Sequence, residues 1–293
     1  IMTSWYIGIM ICIFAVLFFL TTVDGKEVYG KVLLKRVLSF AGGSLLAGII
    51  SFAFWGTAIL NILVTKGGSS FTNLAVTIRE HYDLLYLKRA FLLGSHTWMP
   101  DISGTGYSIS FYVGVIPLIL TILYFFNKKF IAWQRVSAGI IFFIYLLAFN
   151  NKGIDHLFHG GPAPNWFPSR HAFIFGFLLI FYGAKTLANF KSQPWWSFLV
   201  PLFIYIVLVL NLKYDGYVVA SANNLYFFLT FTLLIIVYAL NFVLTSDTMQ
   251  KMTFKQIATP VVISGLTVVA LLNVYGNNAH ILTALNDTVV HLP

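Results

Sequence analysis

The chain has 293 residues, of which 59% are hydrophobic and only 9% charged, against about 25% charged in an ordinary soluble domain. That composition excludes a standard soluble enzyme, a disordered chain and a fibre. The excess of 18 basic over 9 acidic residues, a formal +9, would suit nucleic acid in a soluble protein; in a chain this apolar it is first a topology signal.

A hydrocarbon core about 30 Å thick needs about 20 apolar residues per helix. The sequence supplies eight such blocks, at 4–22, 37–64, 108–126, 133–150, 167–184, 195–212, 223–244 and 257–275. The expected fold is all-α: a polytopic transmembrane protein forming one domain over 1–293, with notable external loops at 65–107 and 150–170. The first block starts almost at Ile1, with no basic n-region or cleavage site, so a fragment of a longer chain is expected. Cys12, the one cysteine, lies in that block, which excludes an intramolecular disulfide and a thiolate metal site. In the second block Ser39, Gly43, Ala47 and Ser51 recur every fourth residue, a stripe that lets another helix approach closely. Pro117 and Pro201 fall within blocks and are expected to kink them. Six of the seven Trp lie at block ends or in loops, where the amphipathic ring prefers the headgroup layer.

Numbering the connections from the first block, the odd ones hold eleven basic and three acidic residues, the opposite side seven and six. The odd side is therefore cytoplasmic and both chain ends lie outside. Nucleic-acid binding loses its support, and the lipid bilayer becomes the first partner. All seven His map to the outer side. The loop 65–107 interleaves apolar residues with Arg79, Glu80, His81, Asp83, Lys88 and Arg89, as an amphipathic helix on the outer leaflet would. The loop 150–170 carries Asp155, His156, His159 and several Gly and Pro, then meets Arg170 and His171 at the mouth of the fifth block.

His156 and His159 are three apart with Asp155 before them, a spacing able to surround a metal. No Glu in the loop serves as the base of a zinc hydrolase, so the metal chemistry to expect is a loosely held divalent cation accompanying a phosphate. Arg170 is the sharpest residue. A guanidinium at the head of an apolar helix must pair or lie in a wet cavity, and its planar fork matches phosphate oxygens; the plainer alternative is a snorkelling Arg on ordinary headgroups. His171 is placed to donate to the same anion. Tyr107 and Tyr112, beside Gly104 and Gly106, are candidates for a sugar-stacking wall or for interfacial anchors. No dinucleotide fingerprint, Walker A, Gly-x-Ser-x-Gly or paired-Cys motif occurs, which leaves nucleotide-driven transport and serine hydrolysis unsupported.

The stretch Asn165-Trp166-Phe167-Pro168-Ser169-Arg170-His171-Ala172-Phe173, followed by the apolar run 174–181, resembles the Pro-x-Arg-aromatic-Ser-Phe signature of YfhO-type bacterial membrane proteins. The opening Trp5-Tyr6-Ile7-Gly8-Ile9-Met10-Ile11-Cys12-Ile13-Phe14 and the run 111–126, closed by Asn127-Lys128-Lys129, are similar to the same family, and the likeness spans most of 1–190. It implies a relative of the GT-C glycosyltransferases, which take a sugar from a polyprenyl-phosphate donor on the outer face of the bacterial membrane. The implied acceptor is an envelope polymer such as teichoic or lipoteichoic acid. Such enzymes place a catalytic Asp or Glu after their first helix, a region expected upstream of Ile1. Within this chain the resemblance carries over phosphate binding to Arg170 alone; His171 joins it only by adjacency, and Asp101, Asp83 and Asp155 are the carboxylates available to deprotonate the acceptor. His156, His159 and Tyr107 are then substrate-binding candidates. His171 and Ala172 depart from the family's aromatic and Ser. The competing readings are a lipid-linked precursor flippase and a non-catalytic scaffold.

Overall fold

A computed structural model of the chain describes residues 5–22, 30–52, 55–57, 60, 87–92, 109, 111–160, 169–214 and 221–245, with short pieces between 264 and 275. The described residues are overwhelmingly helical and contain no strand, as a chain immersed in lipid must be when each backbone donor finds its acceptor within its own segment. The helices are α1 (Trp5–Thr22), α2 (Lys31–Ile50), α3 (Val115–Tyr124), α4 (Ala132–Asn150), α5 (Lys152–Phe158), α6 (Ala172–Ala188), α7 (Leu199–Tyr214) and α8 (Ser221–Thr245). Among the described residues Lys31–Ile50, Ala132–Asn150 and Trp195–Tyr214 are long and apolar enough to cross a membrane, and four shorter apolar helices accompany them. The protein is a helical membrane protein.

Three sequence expectations need correction. The second block begins at Lys31 rather than 37, because Lys and Arg are good helix formers and their long side chains reach back to the interface. The third block yields only ten helical residues, since the chain stays non-helical through 111–114 and turns at Gly114, whose φ of 95° suits glycine. Neither proline kinks a helix interior: Pro117 is the third residue of α3, and Pro201 the third of α7 behind the 3-10 turn Trp195–Phe198. In a first turn the missing N–H costs little, because that donor lacks an intrahelical acceptor anyway.

The chain forms two compact units, Ile1–Leu84 with Phe130–Phe175, and Leu85–Lys129 with Gly176–Pro293. In the first, α1 packs on α4 and α5, and α4 on α5. The helix α2 buries none of its residues. A groove of about 450 Å³ lies between α1 and α2, lined by Gly8, Cys12, Ser44, Ala47, Gly48 and Ser51 among others. Of the stripe Ser39, Gly43, Ala47 and Ser51, the last two line this groove, while a Cβ added at Gly43 would meet none of the described residues within 4 Å.

Close approach occurs instead in the second unit, on α6. A Cβ at Gly183 would sit 3.2 Å from the Pro117 carbonyl oxygen, and one at Gly176 would sit 3.1 Å from Val113 Cγ1. Seven residues apart, these glycines share one helix face and let the backbones meet, so that Thr121 Oγ1 donates to the Leu179 carbonyl at 2.7 Å. The core of this unit joins α3, α7 and α8 through Ile119, Leu123, Phe198, Tyr205, Phe227 and Leu234 among others, with the Tyr205 and Phe227 rings stacked at 3.7 Å.

Candidate functional site

The site grows from the junction of α4 and α5 in the first unit. Asn151 leaves the helical conformation, with φ −127° and ψ 116°, and its side chain accepts the Ile154 N–H at 3.1 Å. This N-cap ends α4 and starts α5 in one residue. Four residues on, Asp155 and His159 occupy the same face of α5. His159 caps the helix C-terminus, and Gly160, at φ 79°, turns the chain away.

Asp155 is 1% exposed, His159 and His171 not at all. His159 Nδ1 lies 2.8 Å from the Asp155 carbonyl oxygen; since a carbonyl only accepts, that nitrogen carries the proton. The same Nδ1 is 3.4 Å from Asp155 Oδ1, and His171 Nδ1 approaches the same oxygen to 3.4 Å. Oδ1 also accepts the Ser169 N–H at 3.1 Å. One hydrogen bond from the Ser169 N–H and two imidazole nitrogens at ion-pair distance thus face one carboxylate oxygen, the kind of pairing a buried ionisable group needs.

The aromatic wall of α4 and α5 encloses this cluster. The His171 ring is stacked between Phe149 and Phe158, each 4.7 Å away and inclined at 17° and 27°. Tyr145 stands tilted at 5.7 Å, and Phe175 closes on Phe149 edge-on. An imidazole sandwiched between two phenyl faces is well placed whether neutral or cationic.

Ser169, Arg170 and His171 form the turn that starts α6. Ser169 has φ 59°, the one non-glycine residue in the left-handed region among those described, and its carbonyl accepts the Ala172 N–H at 3.0 Å. Ser169 and His171 are buried while Arg170 between them keeps partial exposure.

Of the residues singled out in the sequence, the structure brings Asp155, His159 and His171 together and sets Arg170 beside them. The metal-like pair His156 and His159 is not built: His159 turns inward and His156 stays half-exposed. His171, read as a partner of Arg170 on an anion, has no exposed surface and addresses Asp155 instead. Asp83, Asp101 and Tyr107 lie outside the described residues. Among the described residues no group of three or more His, Cys, Asp or Glu side chains has the arrangement of a metal site. The Phe149–Phe158 clamp was missed by sequence reasoning, because apolar residues in apolar helices carry no mark. The i, i+4 spacing of Asp155 and His159 was the available signal for their pairing.

The family model described as "Bacterial membrane protein YfhO" matches residues 1–288. No curated protein and no solved structure matches the chain significantly.

Proposed function

The chain belongs to the YfhO family of bacterial membrane proteins, and from that premise we propose that it is a membrane glycosyltransferase. It moves a sugar from a polyprenyl-phosphate donor to a hydroxyl of an envelope polymer, teichoic or lipoteichoic acid, on the outer face of the membrane. The observation that carries this reading is the placement of Arg170. It is the partly exposed member of a turn whose two flanking residues are buried, at the start of the apolar helix α6. A guanidinium there has the fork geometry for phosphate oxygens, and the positive end of the α6 dipole favours the same anion.

In the proposed reaction the acceptor oxygen bonds to the anomeric carbon while the bond from that carbon to the phosphate oxygen breaks. The hydroxyl proton passes to a carboxylate, for which Asp101 and Asp83 are the candidates, and the leaving polyprenyl phosphate gains negative charge. Arg170 stabilises that charge more in the transition state than in the ground state, which is what accelerates the step. His156, half-exposed on α5, and Tyr107 are proposed contacts for the sugar. The outward orientation follows from the excess of basic residues in the odd-numbered connections.

The test is Arg170→Lys in the full protein, supplied with a labelled polyprenyl-phosphate sugar. Transfer is expected to fall on the order of a hundredfold while membrane insertion is unchanged; turnover at the wild-type rate would remove the phosphate role. Release of free polyprenyl phosphate separates the enzyme from a flippase, which leaves the donor intact.

A further inference from the structure

Buried ionisable groups are expensive in a membrane protein and survive where they serve something. Asp155 is too enclosed to touch an acceptor hydroxyl, and its contacts run toward the turn that carries Arg170. We propose that Asp155, with His159 and His171, is a positioning device that locks the Ser169–His171 turn and so sets the place from which Arg170 meets a phosphate.

The geometry supports each part of this. Serine at φ 59° is sterically disfavoured, so the turn needs an external hold, and the Ser169 N–H to Asp155 Oδ1 bond supplies it. On the other side of Arg170, His171 is clamped between Phe149 and Phe158 with Nδ1 facing the same oxygen. Both neighbours of Arg170 are thus referred to one atom. That atom is itself oriented from within α5, because His159 Nδ1 bridges the Asp155 carbonyl and the Asp155 carboxylate. Locking a backbone on both sides of a binding group restricts where its side chain starts, and loosening such support by about 1 Å commonly forfeits most of a site's effect. Asp155 is therefore a positioning residue acting through Arg170, and the proton-accepting role belongs to another carboxylate.

The ligand half of this inference rests on the phosphate reading of Arg170; the turn lock does not. Two measurements on the full chain in nanodiscs keep them apart: hydrogen–deuterium exchange of a peptide spanning Ser169–Phe173 without ligand, and binding of farnesyl phosphate, a short polyprenyl phosphate. Asp155→Asn is expected to speed exchange across the turn and to weaken farnesyl phosphate about tenfold, the scale of one charge-assisted hydrogen bond. His171→Phe keeps the aromatic stack, removes Nδ1, and is expected to change both readouts in the same direction by less. Added to Arg170→Gln, Asp155→Asn should cost no further affinity. Ser169→Asn, which tolerates the left-handed conformation, should restore part of the loss in an Asp155→Asn background. Unchanged exchange in both Asp155→Asn and His171→Phe overturns the lock, as do additive losses in the double variant. A wild-type chain that ignores farnesyl phosphate, while Asp155→Asn still loosens the turn, upholds the lock and overturns the phosphate reading.

Discussion

Around Gln193 in the second unit the buried polar side chains are neutral and reach backbone carbonyls directly. Gln193 Nε2 donates to the Leu123 carbonyl at 3.1 Å, Thr121 to Leu179, Thr186 to Tyr182 and Asn127 to Asn189. Around Asp155 in the first unit the buried groups are a carboxylate and two imidazoles converging on one oxygen. Neutral donors aimed at carbonyls staple helices at small cost, because each such donor is satisfied by one bond and carries no charge to desolvate. A buried carboxylate demands several partners and adds little net stability over an apolar filling. The difference teaches that these second-unit hydrogen bonds are explained by architecture, whereas the first unit's charged cluster calls for a task.

That contrast breaks first at Asp155. Replacing it with Ala leaves two inward-facing imidazoles without their carboxylate, and unfolding free energy is expected to fall by about 3 kcal/mol or more, read as a lower thermal midpoint in detergent. A midpoint equal to wild type would show that the cluster is not the costly, mutually dependent set described. Next is the second unit, where Gly183→Val drives a side chain into the Pro117 backbone. Overpacking of this kind costs about 1 to 3 kcal/mol, again visible in the thermal midpoint, and leaves exchange at the Ser169 turn unaffected. The smallest change is expected at Gly43→Ala in α2, where the added methyl meets none of the described residues. There the helix gains up to about 1 kcal/mol from the better helix former, and a loss of stability would mean that a neighbour covers this face in the membrane.

All eight apolar blocks hold helix among their described residues, because burying backbone in lipid leaves no other economical conformation. Block ends were less legible. Hydropathy omitted Lys31, Lys35 and Arg36 from α2, and it read Pro117 and Pro201 as interior when each falls in a first turn. Close approach through small residues was legible in kind but not in place: Gly43 meets none of the described residues, while Gly176 and Gly183 allow backbones to meet. In the site, Asp155, His159 and Arg170 were singled out, but the i, i+4 pairing of Asp155 with His159 was passed over for the i, i+3 spacing of His156 and His159. That His171 turns away from solvent was not visible, since an adjacent pair such as Arg170 and His171 reads as one cluster until the turn points them apart.

Composition and the length of its apolar runs were enough to make this a helical membrane protein, because transfer of backbone and side chains into lipid depends on local chemistry that any stretch of sequence already states. Which carboxylate meets which imidazole, and which glycine meets which backbone, was left to the tertiary structure. Asp155 and His171 are sixteen residues apart, joined across a turn whose left-handed serine no propensity would choose. Such pairings depend on where packed helices place their ends, and that is a property of the assembled chain.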